Sequence, residues 1–275
     1  MVFKKAGAFL ILGVIGWPLF SQRIVTLAPA LTEIVFALGK GNQIVGNTRF
    51  CDFPIAARRI TKVGGLIDFN LELLVSLKPE IVFVYPELYE KVKFICNRSS
   101  LILVHHASLN DLFSSIQKIA EVLNVPQRGQ QMTWGIKRQL KDVQNRIRGK
   151  VSPSAMLIAG RNPDDLRNVY IIGNRDFLNE ILEISGGLNA YQGTIAYPAV
   201  SMESIIGMNP DWIIELSAFH ESFSEMEIVN LWQRYGMLRA VRQRHVRFVR
   251  DNFWLRPGPR VALIAENLYR FFHDD

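Results

Sequence analysis

Aromatic side chains and one arginine are the residues of this 275-residue sequence that best suit the binding of a large ligand. Flat aromatic rings bury apolar surface, and a guanidinium group donates several hydrogen bonds at once. Arg256 stands in a loop held by Pro and Gly residues, directly before a predicted helix. The aromatic candidates fall in loops or at predicted strand ends, where a cleft would be lined: Phe50, Tyr85, Tyr170, Tyr197, Phe253 and Trp254. For each candidate, the alternative is an ordinary structural role, with the side chain packed in the core or exposed to solvent.

Two glutamates occupy matching positions near the starts of two predicted helices. Glu72 follows the predicted N-cap Asn70, and Glu203 follows the predicted N-cap Ser201. A carboxylate in a first helical turn complements the helix dipole. Two matched acidic side chains would equally suit the docking of a partner with twofold symmetry, and the sequence leaves both roles open.

Signatures of catalysis and of metal binding are missing from the sequence. It contains no Gly-x-Ser-x-Gly, no phosphate loop ending in Lys-Ser or Lys-Thr, and no Gly-x-Gly-x-x-Gly. His105 and His106 are adjacent on a predicted strand, so they would point to opposite faces. We therefore expect neither a bound metal ion nor a resident cofactor. An exported α/β enzyme that handles tetrapyrroles, with one of these histidines as its base, is the alternative from another class.

The first 21 residues have the composition of a secretory signal peptide. Lys4 and Lys5 precede an apolar stretch of 15 residues from Ala6 to Phe20, which is shorter than a membrane span. An uncleaved N-terminal anchor is the alternative. Export permits a disulfide between Cys51 and Cys96, although two separate thiols suit the sequence equally well. Because of the export signal, the net charge of +7 does not indicate a nucleic-acid partner.

Short apolar runs alternate with helical segments, which is typical of parallel sheets covered by helices. Met132, Ile136, Leu140 and Val143 share one face of a helix predicted over residues 130–149, between two α/β halves. We expect an N-terminal lobe at 22–125, a connecting helix within 126–150 and a C-terminal lobe at 151–275, with a ligand cleft between two Rossmann-like lobes. A crossover helix within a single sheet is the alternative. Strands are predicted at 23–29, 43–48, 81–86, 101–106, 155–160, 211–217 and 245–251, and helices at 30–39, 109–123, 176–185 and from about Pro259.

A weak internal repeat supports two lobes of similar fold. The segment NLELLVSLKPEIVFV at 70–84 aligns with SMESIIGMNPDWIIE at 201–215, so that Glu72 matches Glu203. The segment TEIVFALG at 32–39 aligns with NEILEISG at 179–186 in the same order. Two lobes of similar fold meet at a cleft, and such clefts are favoured ligand sites.

The chain resembles the periplasmic substrate-binding proteins of ABC importers. The motifs that carry the resemblance are RIVTLAPALTEIVFALGKGNQIVGNT, TRFCDFP, NLELLVSLKPEIVFVYP, SMESIIGMNPDWII and RPGPR, and the resemblance extends from residue 23 to about 273. It is closest to the class with a helical backbone that serves cobalamin, ferric siderophores and haem. This resemblance implies little closure on ligand binding, and it implies that Glu72 and Glu203 dock on arginines of a permease with its ATPase.

Within this class the chain looks most similar to cobalamin-binding members. The resemblance implies that Phe50, Tyr85, Tyr170 and Tyr197 line the cleft and that Asn252 and Arg256 hold the polar rim of the ligand. Asn252 stands where those members have an acid. Leu66 stands where they have an aromatic residue and where haem-binding members commonly have a tyrosine ligand. A ferric siderophore, bound by Arg49 and Arg256, is the alternative cargo. We expect a monomeric periplasmic protein.

Overall fold

The computed structural model describes residues 22–65, 68–93, 99–162, 165–216 and 224–274. The expected signal peptide, Leu66 and Cys96 lie outside the described residues. Across the described ranges, no helix is both long enough and apolar enough to cross a membrane.

The N-terminal lobe is built on four parallel strands in the order β2-β1-β3-β4. Its central strands β1 and β3 are buried on both faces, as their continuous runs of β-branched and aromatic residues predict. The four strands are β1 (Ile24–Thr26), β2 (Ile44–Asn47), β3 (Ile81–Val84) and β4 (Ser100–Leu103).

The helices of this lobe begin where local chemistry favours a start. Proline occupies the first turn of two of them, and Ser108 forms a capping box with Asp111 at the start of another. These helices are α1 (Pro29–Ala37), α2 (Leu71–Ser76), α3 (Pro86–Val92) and α4 (Leu109–Val122).

One long helix, α5 (Pro126–Arg146), follows the N-terminal lobe. It begins four residues before the predicted start because Pro126 can occupy the first turn of a helix, where no donor is needed. Its 21 residues span about 30 Å. The face with Ile136, Leu140 and Val143 is buried, and α5 packs against α4 as well as against the last helix of the chain.

The C-terminal lobe contains a mixed sheet of six strands. Three of them are parallel, in the order β10-β9-β5, and β6 and β8 continue the sheet in antiparallel fashion, while β7 pairs with β5. The strands are β5 (Ser154–Gly160), β6 (Val169–Ile171), β7 (Leu188–Asn189), β8 (Ala199–Val200), β9 (Trp212–Leu216) and β10 (Val246–Val249). The helices are α6 (Phe177–Ile184), α7 (Met202–Met208), α8 (Glu225–Gln233), α9 (Arg239–Arg242) and α10 (Val261–His273).

The largest apolar core joins both lobes through α5. Leu38 and Phe83 of the N-terminal lobe, Ile136 of α5, and Leu182 and Leu268 of the C-terminal lobe belong to the same buried cluster. The presence of two separate sheets, one on each side of α5, confirms the predicted architecture of two α/β lobes. Because the connecting helix shares its buried face with both lobes, it is a packed element of the core.

Cys51 lies in a buried polar pocket of the N-terminal lobe. Its sulfur is 3.1 Å from the hydroxyl groups of Thr32 and Thr48. Burial raises the pKa of the Cys51 thiol, although hydrogen bonds from these hydroxyls act in the opposite direction. The disulfide with Cys96 stays a prediction, because Cys96 lies outside the described residues.

Candidate functional site

The carboxyl ends of the parallel strands of both lobes meet in one region. Tyr85 follows β3 directly, Phe50 comes three residues after β2, and Arg161 follows β5. Asn252 begins a short 3-10 helix, Asn252–Leu255, three residues after β10. Ligands of α/β sheets bind in the crevice beyond the carboxyl ends of the strands, so this region is the candidate ligand cleft.

On the N-terminal side of the cleft, Tyr85 packs against His106 with 4.0 Å between the ring centroids. His106 also lies 3.4 Å from the carboxylate of Glu87. The expectation that both adjacent histidines lie on a strand was wrong, because β4 ends at Leu103. Burial, together with the nearby charge of Glu87, raises the pKa of the Tyr85 phenol, which keeps this ring a neutral surface.

On the C-terminal side, two predicted tyrosines share one open cavity of about 590 Å³. Tyr170 and Tyr197 are each about half exposed, at 49% and 50%, so their rings are available to a ligand. Arg161 lines the same cavity and pairs with the buried Glu215 at 2.8 Å. The cavity is lined by Ala159, Gly160, Arg161, Asn162, Tyr170, Tyr197 and Leu255.

Tyr197 is held by a buried acid that the sequence did not indicate. Its hydroxyl donates a hydrogen bond to Asp176, which also accepts the backbone N–H of Leu178 as the N-cap of α6. Burial raises the pKa of Asp176, although these two hydrogen bonds and the nearby His106 act in the opposite direction. Leu109 of the N-terminal lobe donates its backbone N–H to Glu180 on the same helix, α6, at 2.9 Å, so the two lobes meet here.

The predicted polar residues of the C-terminal lobe contact the N-terminal lobe. Arg256 pairs with Asp52 at 2.6 Å and donates to the carbonyl oxygen of Phe50 at 3.1 Å. Asn252 donates to the same Asp52 at 2.7 Å. Burial by itself raises the pKa of Asp52, but the hydrogen bonds from Arg256 and Asn252 outweigh it and lower the pKa below its ordinary value.

A second acid lies behind this pair. Glu33 on α1 has a side chain only 3% exposed, and it accepts two hydrogen bonds from Arg260, at 2.8 and 2.6 Å. Arg256 lies 3.5 Å from the same carboxylate. The Arg260 guanidinium stacks on Phe53, 4.1 Å from the ring centroid. We call Glu33, Asp52, Arg256 and Arg260 the interlobe clasp.

The structure therefore brings together Asn252, Arg256 and the backbone of Phe50, and separately Tyr170 and Tyr197. Sequence reasoning missed the acids Glu33, Asp52 and Asp176. Two of them lie in segments that carry the family resemblance, but neither has a local spacing that would distinguish it. The direct contact of any of these residues with a ligand stays a prediction.

The two glutamates expected to dock on a partner are exposed on matched helices. Asn70 caps α2 by accepting the N–H of Leu73 at 2.9 Å. Ser201 caps α7 by accepting the N–H of Ser204 at 3.3 Å. Both predicted N-caps are confirmed. Three residues after each glutamate an aliphatic side chain is exposed, Val75 at 40% and Ile206 at 39%.

Comparisons with known proteins agree with this architecture. The profile of the family described as periplasmic binding protein matches residues 24–252. An uncharacterized ABC transporter substrate-binding lipoprotein, YvrC of Bacillus subtilis, is 27% identical over 261 residues, which cover 90% of this chain and 80% of that protein. A vitamin B12-binding protein of Photorhabdus laumondii is 24% identical over 260 residues, covering 92% of this chain and 88% of that protein.

Solved structures share the fold. The periplasmic haem-binding protein HutB of Vibrio cholerae has a TM-score of 0.82 at 18% identity, covering 92% of this chain and 99% of that one. Two lobes joined by one packed helix, with a cleft at their strand ends, define a solute-binding protein. The chain belongs to the periplasmic binding protein family, as the match over residues 24–252 shows.

Proposed function

We propose that this protein captures a corrinoid outside the cytoplasm and delivers it to the permease and ATPase of an ABC importer. The observation that carries the choice of ligand is the pairing of charges at the cleft. Four arginines there each pair with a carboxylate of the chain. The pairs are Arg49 with Asp68, Arg161 with Glu215, Arg256 with Asp52 and Arg260 with Glu33.

This pairing favours a ligand that brings no net charge to the cleft. A haem with two propionates, or an anionic ferric siderophore, would have to break an ion pair or leave its own charge without a partner. Either change costs several kcal/mol where water is excluded, on the order of 3–5 kcal/mol for a buried pair. A corrinoid instead carries carboxamides around a flat macrocycle, and its amides can accept from Arg256 and donate to Asp52. The similarity to vitamin B12-binding proteins supports the same choice.

The aromatic residues supply the apolar part of the proposed site. The half-exposed rings of Tyr170 and Tyr197 offer flat surface on one wall, and Phe50, 49% exposed, offers it on the other. Stacking of such rings on a macrocycle adds about 0.5–1.5 kcal/mol per contact beyond the buried area. Because α5 and the shared core hold the lobes in place, little ordering is needed on binding.

Calorimetric titration of the purified protein tests the ligand. We expect cyanocobalamin to bind with a stoichiometry of one and a Kd in the micromolar range or tighter, and haemin and ferric enterobactin to bind at least tenfold more weakly. Replacement of an aromatic cleft residue, Tyr197→Ala, should weaken cyanocobalamin binding about tenfold. The matched control is Trp134→Ala on α5, which removes an aromatic side chain that is 63% exposed away from the cleft.

Three results would contradict the proposal. Tighter binding of ferric enterobactin or haemin would overturn the ligand but keep the solute-binding class. Equal loss of affinity in Tyr197→Ala and Trp134→Ala would show that the cleft is not the ligand-binding site. Recovery of a chemically altered ligand after incubation would favour the exported enzyme that handles tetrapyrroles.

A further inference from the structure

One glutamate of each lobe contacts the other lobe, and these two glutamates occupy equivalent positions of the internal repeat. In the alignment of residues 32–39 with 179–186, Glu33 matches Glu180. Glu33 lies on α1, the first helix of the N-terminal lobe, and Glu180 lies on α6, the first helix after the connecting helix. The repeat therefore places a carboxylate on the same helix of each lobe.

Both carboxylates contact the start of the last helix of the opposite lobe. Glu33 accepts two hydrogen bonds from Arg260, which is the N-cap residue of α10. Glu180 accepts the backbone N–H of Leu109, the first residue of α4, at 2.9 Å. A helix start has unpaired N–H donors and the positive end of the helix dipole, so a carboxylate is suited to hold it.

The contacts differ in strength because their donors differ. Glu33 holds a guanidinium in a bidentate pair and is nearly inaccessible to water, whereas Glu180 is only partly buried and holds a single amide. The Glu33 side also carries Arg256 and Asp52, which lie next to the predicted ligand contacts Phe50 and Asn252. Loss of the Glu33 carboxylate should therefore displace the groups that we expect to contact the ligand.

We propose that Glu33 and Glu180 are positioning residues that together set the width of the ligand cleft, each by holding the last helix of the opposite lobe. The α5 helix joins the lobes by packing and by polar contacts such as the ion pair of Arg146 with Glu266. Glu33 and Glu180 add directed hydrogen bonds at two further points between the lobes. The consequence for ligand affinity rests on the proposed function, whereas the consequence for the distance between the lobes does not.

The distance between the lobes can be measured without any ligand. Spin-labelled unnatural amino acids at Glu90 on α3 and Arg234 beside α8, both exposed, give the distance distribution by double electron–electron resonance. We expect one narrow distribution for the otherwise unchanged protein, and a broader one with a longer mean for Glu33→Ala and for Glu180→Ala. The matched control is Glu266→Ala, which removes the partner of Arg146 and Arg270 outside the clasp and should leave the distribution unchanged.

A conservative variant separates positioning from general destabilisation. The amide oxygen of Glu180→Gln can accept the same hydrogen bond from Leu109, so this variant should restore the narrow distribution. If Glu33→Ala fails to fold, as judged by circular dichroism, the comparison of Glu180→Ala with Glu180→Gln is sufficient to test the proposal. Unchanged distributions in Glu33→Ala and Glu180→Ala would overturn the proposal, and so would a Glu180→Gln protein that opens as far as Glu180→Ala.

Ligand binding provides an independent second measurement. We expect the Glu33→Ala and Glu180→Ala double variant to bind cyanocobalamin about tenfold more weakly than the unchanged protein, because a wider cleft no longer holds both walls against the ligand. A wider cleft with unchanged affinity would overturn the link between cleft width and binding. If the unchanged protein binds no cyanocobalamin while the distances shift as expected, the proposed ligand fails and the positioning role is supported.

Discussion

The inner and the outer faces of the two lobes use the same internal repeat in different ways. On the outer face, Glu72 and Glu203 are identical residues on equivalent helices, with Val75 and Ile206 exposed beside them. On the inner face, the repeat-related Glu33 and Glu180 have different partners, a guanidinium in one case and a backbone amide in the other.

The proposed function accounts for this difference. A partner with twofold symmetry would contact the same surface twice, which suits two identical glutamates. A cleft that binds one asymmetric ligand has no such requirement. The acids Glu33 and Asp52 lie on one lobe, and the arginines Arg256 and Arg260 lie on the other. The lobes are thus alike toward the outside and complementary toward each other.

Among the Glu33→Ala, Glu180→Ala and Glu266→Ala variants, Glu33→Ala should cause the largest loss of stability. It leaves Arg260 without its buried partner, which costs about 3 kcal/mol of unfolding free energy. Glu180→Ala should cost about 1 kcal/mol, the value of one hydrogen bond. Glu266→Ala, which breaks two partly exposed ion pairs, with Arg146 and Arg270, should cost about 1 kcal/mol or less. Urea denaturation at neutral pH measures all three.

Replacement of both Glu33 and Arg260 extends this comparison. In a Glu33→Leu and Arg260→Met double variant no buried charge remains unpaired, so much of the stability lost in Glu33→Ala should return. A Glu33→Ala protein that is as stable as Glu266→Ala would show that the inner pair is no different from a surface pair.

The outer face should affect transport without affecting affinity. We expect the Glu72→Ala and Glu203→Ala double variant to bind cyanocobalamin as before, while uptake falls about tenfold, because exposed charges set orientation and association rate more than affinity. Uptake of labelled cyanocobalamin by cells that carry the variant as their only copy measures this. Glu90→Ala, an exposed glutamate outside the repeat, is the control, and unchanged uptake in the double variant would remove the docking role.

Much of the fold was predictable because its signals are local. The buried runs in β1 and β3, and the caps Asn70 and Ser201, define elements within a few residues of one another. The strands β6 and β8 were not predicted, because two or three residues are too few to show a period and their pairing is antiparallel to the preceding pattern.

The site was predictable only in part, since its polar contacts are distant in sequence. Arg256 was a candidate because it lies in a Pro/Gly loop, but its partner Asp52 is 204 residues away in the sequence. Asp176 looks like an ordinary helix N-cap, and only the folded chain shows that Tyr197 hydrogen-bonds to it. Residue type and spacing can nominate one member of such a pair, but they do not identify the other.

The acids on the two walls of the cleft should respond to pH in opposite ways. Hydrogen bonds from Arg256 and Asn252 lower the pKa of Asp52 below its ordinary 3.8, so its contribution to stability is present above pH 3.8 and is lost as the pH falls through the lowered pKa. Burial raises the pKa of Asp176 above 3.8, so its contribution is present below pH 3.8 and is lost as the pH rises through the raised pKa.

Urea denaturation between pH 3 and pH 7 of Asp52→Asn and Asp176→Asn distinguishes the two acids. Asp52→Asn should be less stable than the unchanged protein at pH 7, by less than about 1 kcal/mol since Asp52 is partly exposed, and the difference should shrink toward pH 3. Asp176→Asn keeps the N-cap of α6, because asparagine accepts the same backbone N–H. Relative to the unchanged protein, it should therefore gain stability as the pH rises from 3 to 7. Parallel pH profiles for the two variants would mean that the walls of the cleft do not differ in electrostatic environment.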